Sequence, residues 1–219
     1  MTKQEREQKM VARLAEMKQY ENALREQGVQ YIAGMDEVGR GPLAGPVVAA
    51  CVVLPADFSV LGVDDSKKLS EKRRETLYDQ ILEHALAWGT GEKDNHIIDE
   101  INILEATKLA MLEAVAGCES MLRERTGASV EHVLIDALSL DDLHKPQTAI
   151  IKGDGASVSI AAASIVAKVT RDRQMIAYAD EFPGYAFEKN KGYGTKAHYE
   201  GIRAQGITRI HRVSFLKNL

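Results

Sequence analysis

The chain has 219 residues and a mass of 24.1 kDa, which suits one globular domain carrying at most a short appendage. With 45% hydrophobic and 27% charged residues, its composition excludes a disordered or collagen-like chain. Cys51 and Cys118 are too few and too far apart for a disulfide framework or a CxxC zinc knuckle. The charged N-terminus lacks the apolar stretch of a secretory signal, and the longest apolar runs, residues 47–54 and 160–166, are too short to cross a bilayer. A cytoplasmic protein without membrane contact is expected.

The net charge of −4 conceals an asymmetry. Residues 1–144 hold 16 basic and 26 acidic side chains, whereas residues 145–219 hold 12 and 6. The last third is the part suited to a polyanion, although any cut through a chain produces some imbalance.

Residues 3–27 are rich in Glu, Lys, Arg and Gln, with Met10, Leu14, Met17 and Leu24 at helical spacing and Gly28 beyond them. The thin apolar stripe fits either a small N-terminal appendage, residues 1–30, or a helix laid on the main body, residues 31–219. Residues 31–37 and 47–54 read as two strands joined by the Gly/Pro-rich link 39–46. Ser70 is placed to cap a helix over residues 71–84, residues 85–90 read as a third strand, and residues 98–125 read as one long helix. Ile101, Leu104, Leu109, Leu112 and Val115 would line its inner side, and Gly127 would close it. Residues 132–138 and 148–153 have the look of strands covered on both faces. Residues 157–178 read as a helix buried along its first half, residues 182–195 as a loop, and Thr195 as the cap of a last helix reaching residue 205. Strands first in a meander and then alternating with helices predict an α/β fold with a mixed central sheet flanked by helices.

Three apolar strand segments end in or contain carboxylates: Asp36 and Glu37, Asp136, and Asp154. A carboxylate in such a setting costs several kcal/mol unless it is paired or binds a cation. Oxygen-only ligands at this density suit Mg²⁺ or Mn²⁺ rather than zinc. Because successive strand side chains point to opposite faces, the strand is expected to end at Asp36–Glu37 for both to converge. Gly39-Arg40-Gly41 can let backbone N–H groups approach an anion, or be an ordinary turn. The basic third supplies Lys152, Lys168, Arg171, Arg173, Lys189, Lys191, Lys196, Arg209 and Arg212, with Tyr185, Phe187 and Tyr193 interleaved. Such a set can stack on bases and hold phosphates, or form a solvated face.

Seven segments together carry a resemblance: Gly34-Met-Asp-Glu-Val-Gly-Arg-Gly-Pro-Leu-Ala-Gly-Pro46, Asp65-Ser-Lys-Lys-Leu-Ser70, Ile135-Asp-Ala137, Lys152-Gly-Asp154, Ser159-Ile-Ala-Ala-Ala-Ser-Ile-Val-Ala-Lys-Val-Thr-Arg-Asp172, Gly192-Tyr-Gly-Thr195 and His211-Arg-Val-Ser-Phe215. In this order they resemble the bacterial type 2 ribonuclease H family, from residue 31 to the C-terminus. The resemblance implies a ribonuclease H-like fold with a helical N-terminal extension, and an endonuclease cutting the RNA strand of RNA–DNA hybrids and 5′ of single ribonucleotides in duplex DNA. It implies a metal site of Asp36, Glu37, Asp136 and Asp154 holding two divalent ions, Mg²⁺ or Mn²⁺, that cleave to 5′-phosphate and 3′-hydroxyl ends. Asp172 competes as the fourth acid, but the Lys-Gly-Asp context favours Asp154. The resemblance also implies 2′-OH sensing by the Gly39, Arg40 and Gly41 backbone and stacking by Tyr193. Lys67 and Lys68 are candidate phosphate clamps, or solvated residues at a helix start. The partner expected is an RNA–DNA hybrid, or DNA with embedded ribonucleotides, bound by a monomer. A non-catalytic nucleic-acid-binding module and a related metal-dependent DNA nuclease are the competing readings.

Overall fold

The computed structural model describes residues 2–217. A five-stranded sheet in the order β3-β2-β1-β4-β5 organises the chain. The strands β1 (Ile32–Val38), β2 (Val47–Val53) and β3 (Ala87–Lys93) form an antiparallel meander, and β4 (His132–Asp136) and β5 (Gln147–Ile150) add in parallel on the other side of β1. The three parallel strands therefore point their C-terminal ends the same way, and in open α/β sheets that is the end where sites are built.

Alternation along β1 divides the core. Ala33 and Met35 face a cluster with Val133 and Ile135 of β4 and the helix α5 (Ile103–Thr126). The opposite face is covered by α6 (Val158–Glu181) and α3 (Glu71–His84). Gly34 makes the first contact possible: a Cβ there would lie 2.0 Å from the Ser159 carbonyl carbon. α6 therefore rides directly on β1, and its buried first half runs past Asp36.

Ser70 caps α3 by accepting from the Arg73 amide, Gly127 ends α5 in the left-handed conformation, and Thr195 caps α8 (Lys196–Gln205), all as the sequence predicts. Several expectations are corrected. The long helix of residues 98–125 is two helices, α4 (Asn95–Ile101) and α5, because Asn102 takes φ 75° and its side-chain oxygen accepts from the Leu104 and Glu105 amides. Leu104 and Leu109 are exposed, and the inner face of α5 is built from Ala106, Ala110, Met111, Ala114, Cys118 and Leu122. Small residues win there because the helix lies close against the sheet. β5 is not covered on both faces: Thr148 and Ala149 are exposed on an edge strand. The loop of residues 182–195 contains a one-turn helix, α7 (Phe187–Asn190).

The N-terminal segment is likewise two helices, α1 (Lys3–Met17) and α2 (Gln19–Glu26), divided at Lys18. Both lie on the main body. Leu14 and Met17 enter the core formed with α3 and α6, and Leu24 packs beside Ile32, Leu134 and Ile160. Burying Met17 completely contributes about 1.5–3 kcal/mol. Among the described residues, no helix is long and apolar enough to cross a membrane.

Candidate active site

Asp36 on β1, Asp136 at the end of β4 and Asp154 on the turn Gly153–Gly155 after β5 bring carboxylate oxygens within 4.8 Å of one another. Asp36 and Asp154 are buried and Asp136 half-buried. Backbone amides hold two of them: Glu37 N–H donates to Asp36 Oδ1 at 2.7 Å, and Gly153 N–H to Asp136 Oδ1 at 2.7 Å. The Lys67 ammonium lies 3.1 Å from Asp154 Oδ2.

Glu37 departs from expectation. β1 does not end at Asp36–Glu37 but pairs with β2 through Glu37↔Ala49 and Val38↔Val48. The pleat therefore turns Glu37 to the other face, outside the three-aspartate cluster. The parallel pairing of β1 with β4 stops at Met35↔Ile135, so the end of β1 is open on that side. Glu37 remains close enough to raise Asp36 and to be raised by Asp136. Its Oε1 accepts from Arg40 at 3.3 Å, and its Oε2 is buried without a hydrogen-bond partner.

Burial is the main cause that lifts Asp36 well above the usual carboxylate range, with repulsion from Glu37 and Asp136 adding to it and the Ser164 hydroxyl opposing it. Burial also raises Glu37 and Asp136. Clustered acids whose ionised forms repel one another are short of positive charge. The all-oxygen donor set and the orphaned Glu37 oxygen fit a hard divalent cation. Asp172 does not join the cluster: it is buried between Lys168 at 2.7 Å and Arg74 at 3.7 Å.

The glycine-rich link beside this cluster has a defined shape. Gly39 has φ +93°, and a Cβ there would strike Arg171 Nε at 2.3 Å. Tyr193, 44% exposed, stands over Gly41, whose added Cβ would sit 3.6 Å from its ring. The sequence-predicted loop and tyrosine thus form one surface.

The family model for ribonuclease HII matches residues 33–218. The chain belongs to the ribonuclease HII family. Ribonuclease HII of Listeria innocua is 54% identical over 213 residues, covering 97% of this chain and 78% of the relative. Among solved structures, ribonuclease H2 from Pyrococcus horikoshii superposes with a TM-score of 0.64 at 26% identity, over 84% of this chain and 92% of that one. Ribonuclease HII from Archaeoglobus fulgidus, solved in complex with PCNA, gives 0.63 at 26%, over 84% and 93%. As a member of this family the protein is an endonuclease that hydrolyses the RNA of RNA–DNA hybrids.

Within this ribonuclease HII scaffold, two arginines counted by sequence as polyanion-facing have a different task. Arg212 is fully buried and donates to the carbonyls of Gly39 at 2.6 Å, Arg40 at 3.0 Å and Gly45 at 2.8 Å. Arg171, equally buried, donates to Pro46 at 2.8 Å, Ala44 at 3.2 Å and Lys191 at 2.9 Å. Two guanidiniums thus clamp the link from both ends. Because trans peptides set C=O and N–H on opposite sides, the Arg40 and Gly41 amides point away from Arg212. Arg209 and Arg173 are also engaged, with Glu181 and Glu75. Only part of the basic third is free for a polyanion.

Two histidines that sequence reasoning left without a role hold the tyrosine loop. Thr208 N–H donates to His211 Nδ1, which leaves the proton on His211 Nε2 to bridge 3.0 Å to His198 Nε2. His198 Nδ1–H then donates to the Tyr193 carbonyl at 3.0 Å. Burial lowers both histidines, His211 to about 4 with repulsion from His198 assisting, so the chain of bonds stays neutral at physiological pH.

Proposed function

We propose that Asp36, Glu37, Asp136 and Asp154 hold two divalent ions, Mg²⁺ or Mn²⁺, and that this centre cuts 5′ of a ribonucleotide, in hybrids and at single ribonucleotides in duplex DNA. Bound ions of this kind supply an activated water and stabilise the phosphate and the leaving 3′-oxygen, giving 5′-phosphate and 3′-hydroxyl ends. The protein's part is to hold three carboxylates within 4.8 Å of one another against their mutual repulsion, with the orphaned oxygen of the neighbouring Glu37 as a further donor. The convergence of the three aspartates close to the Gly39–Gly41 link is the observation that carries the reading.

Discrimination of RNA from DNA requires a contact to the 2′-OH. The Gly39-Arg40-Gly41 backbone supplies it, since the Gly39 and Arg40 carbonyls are tied down by Arg212 and the Arg40 and Gly41 amides point away from that side chain. Tyr193 stacks on the adjoining sugar or base. Lys67 and Lys68, both exposed and lining a depression with Lys152 and Asp154, meet the backbone phosphates. The protein acts as a monomer in this reading.

The deciding experiment compares a labelled duplex carrying one ribonucleotide, an all-DNA duplex and a hybrid, each with Mg²⁺, Mn²⁺ or EDTA. Cutting is expected at the 5′ side of the ribose, none in EDTA, and none of the all-DNA duplex. Equal cutting of the all-DNA duplex would replace this reading by that of a DNA nuclease on the same fold.

Tyr193→Ala is expected to lower kcat by about 10-fold, in line with about 1–3 kcal/mol per stacked base, while duplex affinity changes by less than about 3-fold, because phosphate contacts dominate binding. Parallel losses of kcat and affinity would show that the ring serves only to hold the loop.

A further inference from the structure

We propose that the two N-terminal helices brace the segment carrying Asp154, with Arg13 and Glu21 as positioning residues. The inference rests on the reading of Asp154 as a metal ligand. Asp154 has the least secure support of the clustered acids. It follows a four-residue edge strand and Lys152 at φ 57°, and sits on a single turn before α6 begins. Asp36, by contrast, lies in a strand paired on β2.

Both flanks of that turn are held from outside the sheet. On one side Arg13 of α1 donates through its NH2 group to the Gly155 carbonyl at 2.7 Å and through Nε to Asp64 Oδ2 at 2.9 Å. Asp64 also meets Lys68 at 3.4 Å, so Arg13 ties the Asp154 turn to the loop whose Lys67 bonds Asp154. On the other side Glu21 of α2, 1% exposed, accepts from the Ser157 hydroxyl at 2.5 Å and the Ser159 amide at 3.0 Å. Ser157 is the cap of α6, and its oxygen in turn accepts from Ile160 N–H. A carboxylate at a helix N-terminus is favourably placed and fixes where the helix starts, four residues after Asp154. Burying Glu21 is costly, since its Oε2 has no hydrogen-bond partner. Leu14 and Met17 anchor α1 to the core and Leu24 packs α2 beside Ile32, Leu134 and Ile160, so both side chains work from a fixed platform.

The test uses the whole chain with Arg13→Ala, Arg13→Lys, Glu21→Ala and Glu21→Gln. Amide hydrogen exchange over residues 153–159 is read in metal-free buffer, Mn²⁺ affinity by calorimetry without substrate, and kcat and duplex Kd separately, the latter in EDTA. For each alanine variant, exchange is expected to quicken about 10-fold, and Mn²⁺ affinity and kcat to fall about 10-fold, the lower end of what loss of a supporting contact around a metal site costs. Duplex Kd stays within about 2-fold. Glu21→Gln keeps the accepting oxygen and restores all three, and Arg13→Lys restores them in part. Unchanged exchange in both alanine variants, with melting temperatures showing them folded, would overturn the brace. So would a loss confined to duplex Kd, which would make the helices a substrate contact. Asp154→Asn separates the underlying reading: Mn²⁺ affinity undiminished in that variant removes Asp154 as a ligand, while the exchange data still decide the brace.

Discussion

Asp36→Asn is expected to abolish cleavage, with kcat on a single-ribonucleotide duplex lower by about 10³-fold or more. The figure follows from losing about 4 kcal/mol of the charge stabilisation that a divalent centre provides. Asparagine has nearly the same shape, and its side-chain oxygen can still accept the Glu37 amide that Asp36 holds, so the fold is kept. Burial and like charge both disfavour an ionised Asp36 in the folded chain. Its folded-state value therefore lies above its unfolded one, and between the two the folded state binds the extra proton. In metal-free buffer the parent loses this contribution as pH rises through the folded-state value. The variant, having no such group, gains in melting temperature relative to the parent as pH rises towards neutrality. With Mn²⁺ the order reverses, because a cation binds the deprotonated acids and stabilises the parent. Melting curves across pH with and without Mn²⁺, beside a single-turnover assay, check both halves. Substantial activity in Asp36→Asn would remove the metal centre from the mechanism.

Arg212→Leu is expected to cost about 3 kcal/mol of stability and most of the activity. The substitution leaves the carbonyls of Gly39, Arg40 and Gly45 without their donor inside the protein, and each such group carries about 1–3 kcal/mol of desolvation penalty. Part of that loss is offset because a buried guanidinium is itself disfavoured: burial, with the charge of Arg171 nearby, lowers Arg212 to about 9, still protonated at neutral pH. Arg212→Lys rescues little, since one ammonium cannot span three carbonyls in a fixed fork. Urea unfolding measures the stability, and the ratio of cutting at a ribose to cutting of all-DNA duplex measures whether the loop keeps its selectivity. A loss under about 1 kcal/mol with selectivity intact would show that the link holds its shape unaided.

The two substitutions also separate what was legible in the chain from what was not. Asp36, Asp136 and Asp154 stand out as charged residues at the ends of apolar runs, where burial is costly enough to demand a purpose. Caps and breakers were equally local: Ser70, Gly127 and Thr195 act within a few residues of themselves. Sequence alone places Arg212 and Arg171 in a basic, polyanion-facing set because composition counts charge without depth. The buried, Ala-rich run around Arg171 was the available signal, and the His211-Arg-Val-Ser-Phe215 segment gave none for Arg212. The end of β1 lies elsewhere than the sequence suggests for a related reason. Convergence with Asp36 requires a strand end, whereas the continuing ladder to Ala49 and Val48 of β2 is a pairing between segments 12 and 10 residues apart in the register.

Local chemistry therefore determined most of the succession of strands and helices and the acid-bearing segments, because capping, periodicity and the desolvation cost of a lone carboxylate depend on near neighbours alone, while the family resemblance rests on seven motifs in their order. Tertiary structure decided which acids meet, which basic residues face a substrate and which are consumed in holding the Gly39–Pro46 link, and that Arg13 and Glu21 reach across more than 130 residues to the turn bearing Asp154. Those outcomes depend on strand order and on the depth at which a charge lies, and both are set by contacts between distant parts of the chain.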